Sequence, residues 1–536
     1  MTAAPSTGRW HTTYSPGGLV ASADHLASSA GAQILGAGGT AADAAIAANA
    51  VLAVTSPHLC GIGGDLFALV HHHDGPPDAL NASGRAGSGA DPERMRAEGH
   101  TTMPMRDDVR AATVPGCVDG WCALHERHGR LPFAQVLAPA RRLAEVGFPA
   151  SPMLAFMIPS LAGVSGCDEV AALVPRAGQR VRRPDLARTL AAVAEGGRAA
   201  FYQGSFGAGL VEVGAGEYDA ADLARAQADW VPPLGARAWG HDLWTIPPNS
   251  QGYLILASAR IVELVAGAQP GGLPQADDPA WVHLLVEASR LAGQDRLAAL
   301  HEGADGATLI AEEHLVPLAG RFEPDHSSRV TVAGGGGDTT YLCVVDAEGT
   351  GVSLIQSNAK DFGCRVAVPG TGVLLHNRGT GFSLEPGHPG EYQPGRRPPH
   401  TLSPALITRP DGTLRAVLGT MGGDTQPQVV LQLAARLLAG GETAGDVIAA
   451  PRFAIARPEG TGFDTWADPA EQVVRIEQHA PAGWADGLAA RGHQVEVAGF
   501  DPAGFGNAAL IEVRDDAMRA GADDPRAITG AAVAAP

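Results

Sequence analysis

The chain has 536 residues, 45% of them hydrophobic, and a formal net charge of −19 at pH 7. That length and apolar content suffice for a large buried core. The acidic balance is spread along the chain, with no basic stripe and no Arg/Lys patch interleaved with aromatics, which excludes nucleic acid and anionic membranes as expected partners.

Residues 1–18 lack the basic start and apolar stretch of a secretory signal, and no run of eighteen apolar residues occurs, so a cytoplasmic location is the expectation. Gly38-Gly39-Thr40 leads into an alanine-rich helix over residues 41–54, with Thr40 as candidate cap. Residues 56–65 break that helix, and Leu66-Phe67-Ala68-Leu69-Val70 reads as a buried strand. His71-His72-His73-Asp74 follows. A solvated strand end before Gly75-Pro76-Pro77 explains it more simply than a metal site, because no second ligand cluster is evident.

Residues 79–85 form an extended segment that ends in Arg85, whose planar fork suits an ion pair or a substrate carboxylate. Helical patterns recur over residues 136–146, 184–194 and 281–291, and Pro247 to Gly252 is a turn-rich loop that opens another helix. Up to residue 338 the chain is mainly helical. The six cysteines show no CxxC or zinc-like spacing and read as reduced and structural.

Four glycines, Gly334 to Gly337, then precede Asp338-Thr339-Thr340-Tyr341. Such a run adds nothing to a packed element and serves as a loose or strained linker. Behind it lies a hairpin, with residues 341–345 paired through the turn 346–349 to residues 352–355. A cut between Asp338 and Thr339 would leave a threonine whose own α-amine acts as base for its hydroxyl. A glycine linker before a strand explains the same residues without chemistry. A second hairpin joins residues 405–407 and 415–418, and Met421-Gly422-Gly423-Asp424-Thr425 leads from it into a helix over residues 428–438. Exposed N–H groups of Gly422 and Gly423 at such a junction, with Asp424 or Thr425 as cap, are donors suited to an oxyanion.

In combination these segments resemble the γ-glutamyltransferase family of N-terminal nucleophile hydrolases, over nearly the whole chain. The series is Gly38 to Ala44, Pro57 to Gly64, Val114-Pro115-Gly116, Asp338-Thr339-Thr340-Tyr341, Pro369 to Leu375, Leu402-Ser403-Pro404, Met421-Gly422-Gly423 and Ala450-Pro451-Arg452-Phe453, in the family's order. The resemblance implies an α+β fold, a four-layer αββα sandwich, and a precursor that cleaves itself between Asp338 and Thr339. The fragments 1–338 and 339–536 would then stay associated as one structural domain, with a dimer of the pair as a further expectation.

By the same resemblance Thr339 is the nucleophile, Ser357 is the hydroxyl that bonds it, Gly422 and Gly423 are the oxyanion pair, and Arg85 grips a donor carboxylate. His400 and Thr401 occupy the place of a serine pair that helps hold that carboxylate. Arg378 and Gly381 depart from the family pattern, because neither offers an acceptor for the ammonium of a γ-glutamyl group. An acyl group with a carboxylate and no α-amine, oxamate- or glutaryl-like, fits better, and Arg85 and Arg378 together would favour it. The expected activity is amide hydrolysis or acyl transfer to an amine without metal or organic cofactor. Glutathione-type chemistry is the family's reference point, and an uncleaved, inactive binding homologue is the alternative.

Overall fold

A computed structural model describes residues 12–72, 74–171, 176–327, 333–334, 339–457, 465–466, 472–501 and 504–536. Of the expected leash Gly334 to Gly337, residues 335–337 lie outside the described residues, as do the expected cleavage residue Asp338 and His73, whereas Gly334 pairs with Thr465 in a short two-stranded ladder instead of standing free of any element.

Two seven-stranded antiparallel sheets form the centre. The strands are β1 (Thr12–Ser15), β2 (Leu19–Ser22), β3 (Asp65–His71), β4 (Asp78–Ala82), β5 (Asp229–Val231), β6 (Leu234–Ala238) and β7 (His241–Thr245), then β8 (Thr340–Val345), β9 (Gly351–Ser357), β10 (Ala405–Thr408), β11 (Leu414–Thr420), β12 (Ala508–Val513), β13 (Arg519–Ala522) and β14 (Ala531–Ala534). One sheet runs β14-β2-β8-β9-β3-β4-β5, the other β1-β13-β12-β11-β10-β7-β6. Each sheet combines strands from before and after Thr339, so neither sheet exists without both halves of the chain.

The alternation of side chains along β8 sets the layers. Tyr341, Cys343 and Val345 point between the sheets, where they meet Leu406, Val417 and Ile511 of the facing sheet. Leu342 and Val344 point outward against helices α1 (His25–Gly36), α2 (Ala41–Thr55), α3 (Cys117–His128), α4 (Phe133–Val146) and α5 (Pro184–Tyr202). The second sheet turns Ile407, Ala416 and Leu418 toward α6 (Tyr253–Ala268), α7 (Pro279–Gly293) and α8 (Gln426–Ala434). Three apolar interfaces thus give four layers, helix–sheet–sheet–helix, which is the αββα sandwich.

All fifteen residues of α2 are buried. Its alanines give it small faces on every side, so it packs between β8 and its helical neighbours. Thr40 and Asp43 close its first turn as a reciprocal capping box. The first half is more sheet-rich than its composition suggests, because short strands such as β1, β2, β6 and β7 carry too few residues for a clear alternating pattern. All six cysteines are free thiols and five are buried. Burial pushes the Cys60 and Cys364 thiols up to about 12.

β3 ends at His71, whose ring bonds the Gly412 carbonyl at 2.9 Å. Beside it the fold gathers what the sequence does not show: potential ligand atoms of His72, Asp78 and His128 lie within 4.8 Å of one another.

Candidate active site

The antiparallel strands bring one set of ends together. Thr339 precedes β8, Ser357 closes β9, and Asp65 opens β3, with Ser357 and Asp65 directly opposed in the β9–β3 register. Thr339 is 1% exposed, and its hydroxyl donates to Ser357 Oγ at 3.2 Å. Ser357 Oγ in turn accepts from the Ala359 N–H at 2.7 Å. The hydroxyl pair expected from the sequence is therefore brought together and held by the backbone after β9.

The second sheet supplies the glycine turn. Gly419 near the end of β11 lies flat on Tyr341, since a Cβ there would sit 2.3 Å from the ring. That contact sets the following turn over the start of β8. Gly422 has φ +123° and Gly423 φ +57°, conformations that L side chains rarely adopt. Thr425 is the cap residue of the helix, but its side chain makes no capping bond. Thr425 Oγ1 instead donates back to the Gly422 carbonyl at 2.8 Å, and Asp424 accepts from Arg296 at 3.0 Å. Gln251 completes the brace, donating to the carbonyls of Thr401 at 2.9 Å and Gly423 at 3.0 Å, while its own oxygen accepts from Arg296 Nε at 2.9 Å.

On the β3 side, one buried carboxylate organises the cationic groups. Asp65 Oδ2 accepts from Arg378 Nε at 2.7 Å and from His400 Nε2 at 2.9 Å, and lies 3.5 Å from His376 Nδ1. Leu402 N–H donates to His400 Nδ1, and Thr113 N–H to His376 Nε2. The Leu402 donor makes His400 Nδ1 an acceptor, which leaves the proton of the neutral ring on Nε2, aimed at Asp65. Burial pushes the Asp65 carboxyl up, but Arg378 and the two imidazoles outweigh it and hold the group well below the ordinary carboxylate range. Burial, then the Arg378 charge, hold His400 down at about 3.

Arg378 also donates to Thr401 Oγ1 at 2.9 Å, and both residues line a cavity of about 620 Å³ shared with Arg296, Gly381 and Phe382. Of the four residues expected to hold substrate, Arg378 and Thr401 face this cavity. His400 is fully buried behind them, with both ring nitrogens engaged. Arg85 is not among the cavity's wall residues. It sits beyond β4, bonding Asp229 at 2.8 Å, Glu302 at 2.6 Å and the Gly395 carbonyl at 3.2 Å.

Asp65, Gln251 and Arg296 are the structural members that the sequence reading did not single out. For Asp65 a signal existed: a carboxylate opening the apolar strand Leu66–Val70 needs a partner if it is buried.

The match to the gamma-glutamyltranspeptidase family model runs over residues 27–534. The chain belongs to this family. Its relatives include the glutathione hydrolase-like YwrD proenzyme of Bacillus subtilis, 35% identical over 96% of this chain and 98% of that protein. The oxamate amidohydrolase proenzyme of Klebsiella pneumoniae is 36% identical over the same shares. Among solved structures, cephalosporin acylase from Bacillus halodurans superposes with a TM-score of 0.88 at 32% identity, covering 100% of this chain and 98% of its own. The protein is thus an amidohydrolase of the γ-glutamyltransferase family with the N-terminal nucleophile hydrolase fold.

Proposed function

We propose that the chain cleaves itself between Asp338 and Thr339 and then cleaves amides whose acyl group carries a carboxylate. The observation that carries this reading is the buried Thr339–Ser357 hydroxyl pair, 3.2 Å apart, beneath a turn of two positive-φ glycines. Thr339 Oγ first attacks the Asp338 carbonyl. The peptide C–N bond breaks, and water opens the resulting ester, leaving residues 1–338 and 339–536 interleaved in one domain. The freed α-amine, with an ordinary pKa near ~8, then takes the hydroxyl proton as Thr339 attacks substrate. Ser357 aims the nucleophile, and Gly422 and Gly423 N–H groups hold the oxyanion. The α-amine passes its proton to the departing amine, and water or an acceptor amine resolves the ester. Apart from water and the acceptor amine, the reacting groups all belong to the chain.

For the acyl group, Arg378 and Thr401 on the cavity wall take the carboxylate, while Arg85 is engaged by Asp229, Glu302 and the Gly395 carbonyl. A γ-glutamyl donor also needs an acceptor for its ammonium, which the side chains of Arg378 and Gly381 do not offer, and the carboxylate on this wall, Glu385, is exposed to solvent. Oxamate- and glutaryl-like amides are therefore favoured, the first in keeping with the name of the oxamate amidohydrolase relative.

A denaturing gel tests the cleavage. Two fragments in the wild type and one chain in Thr339→Ala are expected, and a single chain in both overturns the reading. Mass spectrometry of the 339–536 fragment after exposure to γ-glutamyl, glutaryl and oxamyl amides tests the acyl preference. A γ-glutamyl adduct as the dominant product would overturn it.

A further inference from the structure

A second cavity, of about 290 Å³, flanks the glycine turn on the side away from Arg378. Strand order fixes this placement. In one sheet β8 stands between β2 and β9, with β3 beyond β9, and in the other β11 stands between β12 and β10. The Arg378 cavity has Pro399 and Thr401, ahead of β10, in its wall, whereas the second touches Ala23 after β2, Asn507 before β12 and Ile528 after β13, and reaches His58 and Asp361, which precede β3 and follow β9. Thr339 enters β8, between β2 and β9, and Gly422 follows β11, between β12 and β10. Met421, the residue before Gly422, is itself a wall of the second cavity.

The chemistry of the two cavities differs. The walls of the second include Leu59, Met153, Phe156, Met157, Met421 and Ile528. Its charged groups already have partners: Asp361 bonds Arg106, Asp501 bonds Arg475, and Arg526 bonds Glu477 and Asp524. Phe156 is 78% and Ile528 48% exposed, so two large apolar side chains face solvent at the cavity wall. Methionine thioethers adapt their shape to varied apolar guests. A carbonyl carbon held at Thr339 with its acyl part in the Arg378 cavity directs its nitrogen substituent the other way, toward these methionines.

We propose that the methionine-walled cavity is the site of the leaving amine, and that the preferred substrates are amides of amines bearing an apolar chain or ring. This rests on Thr339 as the nucleophile. When the amide C–N bond breaks, the nitrogen takes the proton that left Thr339 Oγ, and the apolar substituent occupies the cavity until the amine departs.

The test is a set of amides of one acyl group, the one that labels Thr339, differing only in the amine: methyl, butyl, hexyl and phenethyl. With the cleaved wild-type enzyme, kcat/KM is expected to rise roughly fourfold with each methylene that reaches the cavity. In Met153→Asp and Met157→Asp the hexyl-to-methyl ratio should collapse toward one. Because that ratio is measured within one preparation, partial misfolding of a variant does not distort it. Cleavage of all amides at equal rates would overturn this inference and leave the Thr339 reading standing. A gradient that survives in both variants would overturn it too, since the amine would then be bound elsewhere. No cleavage of any amide by a processed protein would instead fail the Thr339 reading, and the inference with it.

Discussion

Asp65 holds one negative charge against three N–H groups, fully buried, at the register position facing Ser357. Its removal strands the Arg378 guanidinium, which is 2% exposed, without its principal counter-ion. Breaking a buried pair from one side costs about 3–5 kcal/mol, whereas replacing both partners by apolar groups is often near neutral. Asp65→Ala is accordingly expected to lower unfolding stability in urea by that amount, and Asp65→Leu with Arg378→Met to recover most of it. A near-neutral Asp65→Ala would mean that Asp65 does not organise the cluster. This is also where the sequence is least legible. Thr339, Ser357 and the glycine pair stand in short motifs, because a hairpin and a strand-to-helix turn are local structures. The Asp65–Arg378 bond spans 313 residues, and the partners of Arg85, Asp229 and Glu302, lie 144 and 217 residues away. An arginine read alone shows its fork but not which carboxylates reach it, so the ion pairs of Arg85 with Asp229 and Glu302 are not legible in the sequence.

Among elements, the contact that matters most for the site is β11 on β8. Gly419 has no side chain because the Tyr341 ring occupies that space, and Tyr341 Oη is fixed by Ser353 at 2.8 Å. Gly419→Ala should push the two sheets apart locally at a cost of about 1–3 kcal/mol. It should also lower kcat, because the turn at Gly422 rides on the end of β11. Tyr341→Ala removes the obstacle, so the two substitutions together should cost less than their sum by more than about 0.5 kcal/mol in a double-mutant cycle. Strict additivity would show that the ring does not set the sheet separation. The hairpins 340–357 and 405–420 were readable from alternation and turn residues. Their stacking was not, because a single glycine opposite a tyrosine carries no signal until the strands are aligned. The helix after Gly423 illustrates a smaller shift: Thr425 serves the turn and Asp424 serves Arg296, so the expected cap is replaced by bonds that stiffen the glycine pair.

Across the whole molecule, the interleaving of early and late strands ties stability to the site, and pH reads that link. His58 is held down at about 4 by burial, partly opposed by Asp361; His400 is held at about 3 by burial and then by Arg378; and His493 is held at about 3 by burial and then by His283. Each is neutral in the folded chain at pH 5, whereas in the unfolded chain it titrates near ~6.5. The unfolded state therefore binds more protons below that value, and stability present above about pH 6.5 is lost as pH falls toward the folded values. Each histidine contributes a slope of roughly 1.4 kcal/mol per pH unit in that window. Burial acts oppositely on Asp24, Glu217, Asp295 and Asp346, which are raised, so they take up protons first in the folded state and partly offset the loss. The net expectation is a urea midpoint that falls between pH 7 and pH 5. His58 is the cleanest probe, since its Nδ1 is buried without a hydrogen-bond partner among the described residues and its ring packs edge-on to Phe362. His58→Leu should keep the midpoint at pH 7 within the usual range for a core replacement and make the fall toward pH 5 measurably shallower. A slope unchanged in His58→Leu would show that this ring is protonated, or exposed, in the native state, and the acid sensitivity would then have to come from elsewhere in the fold.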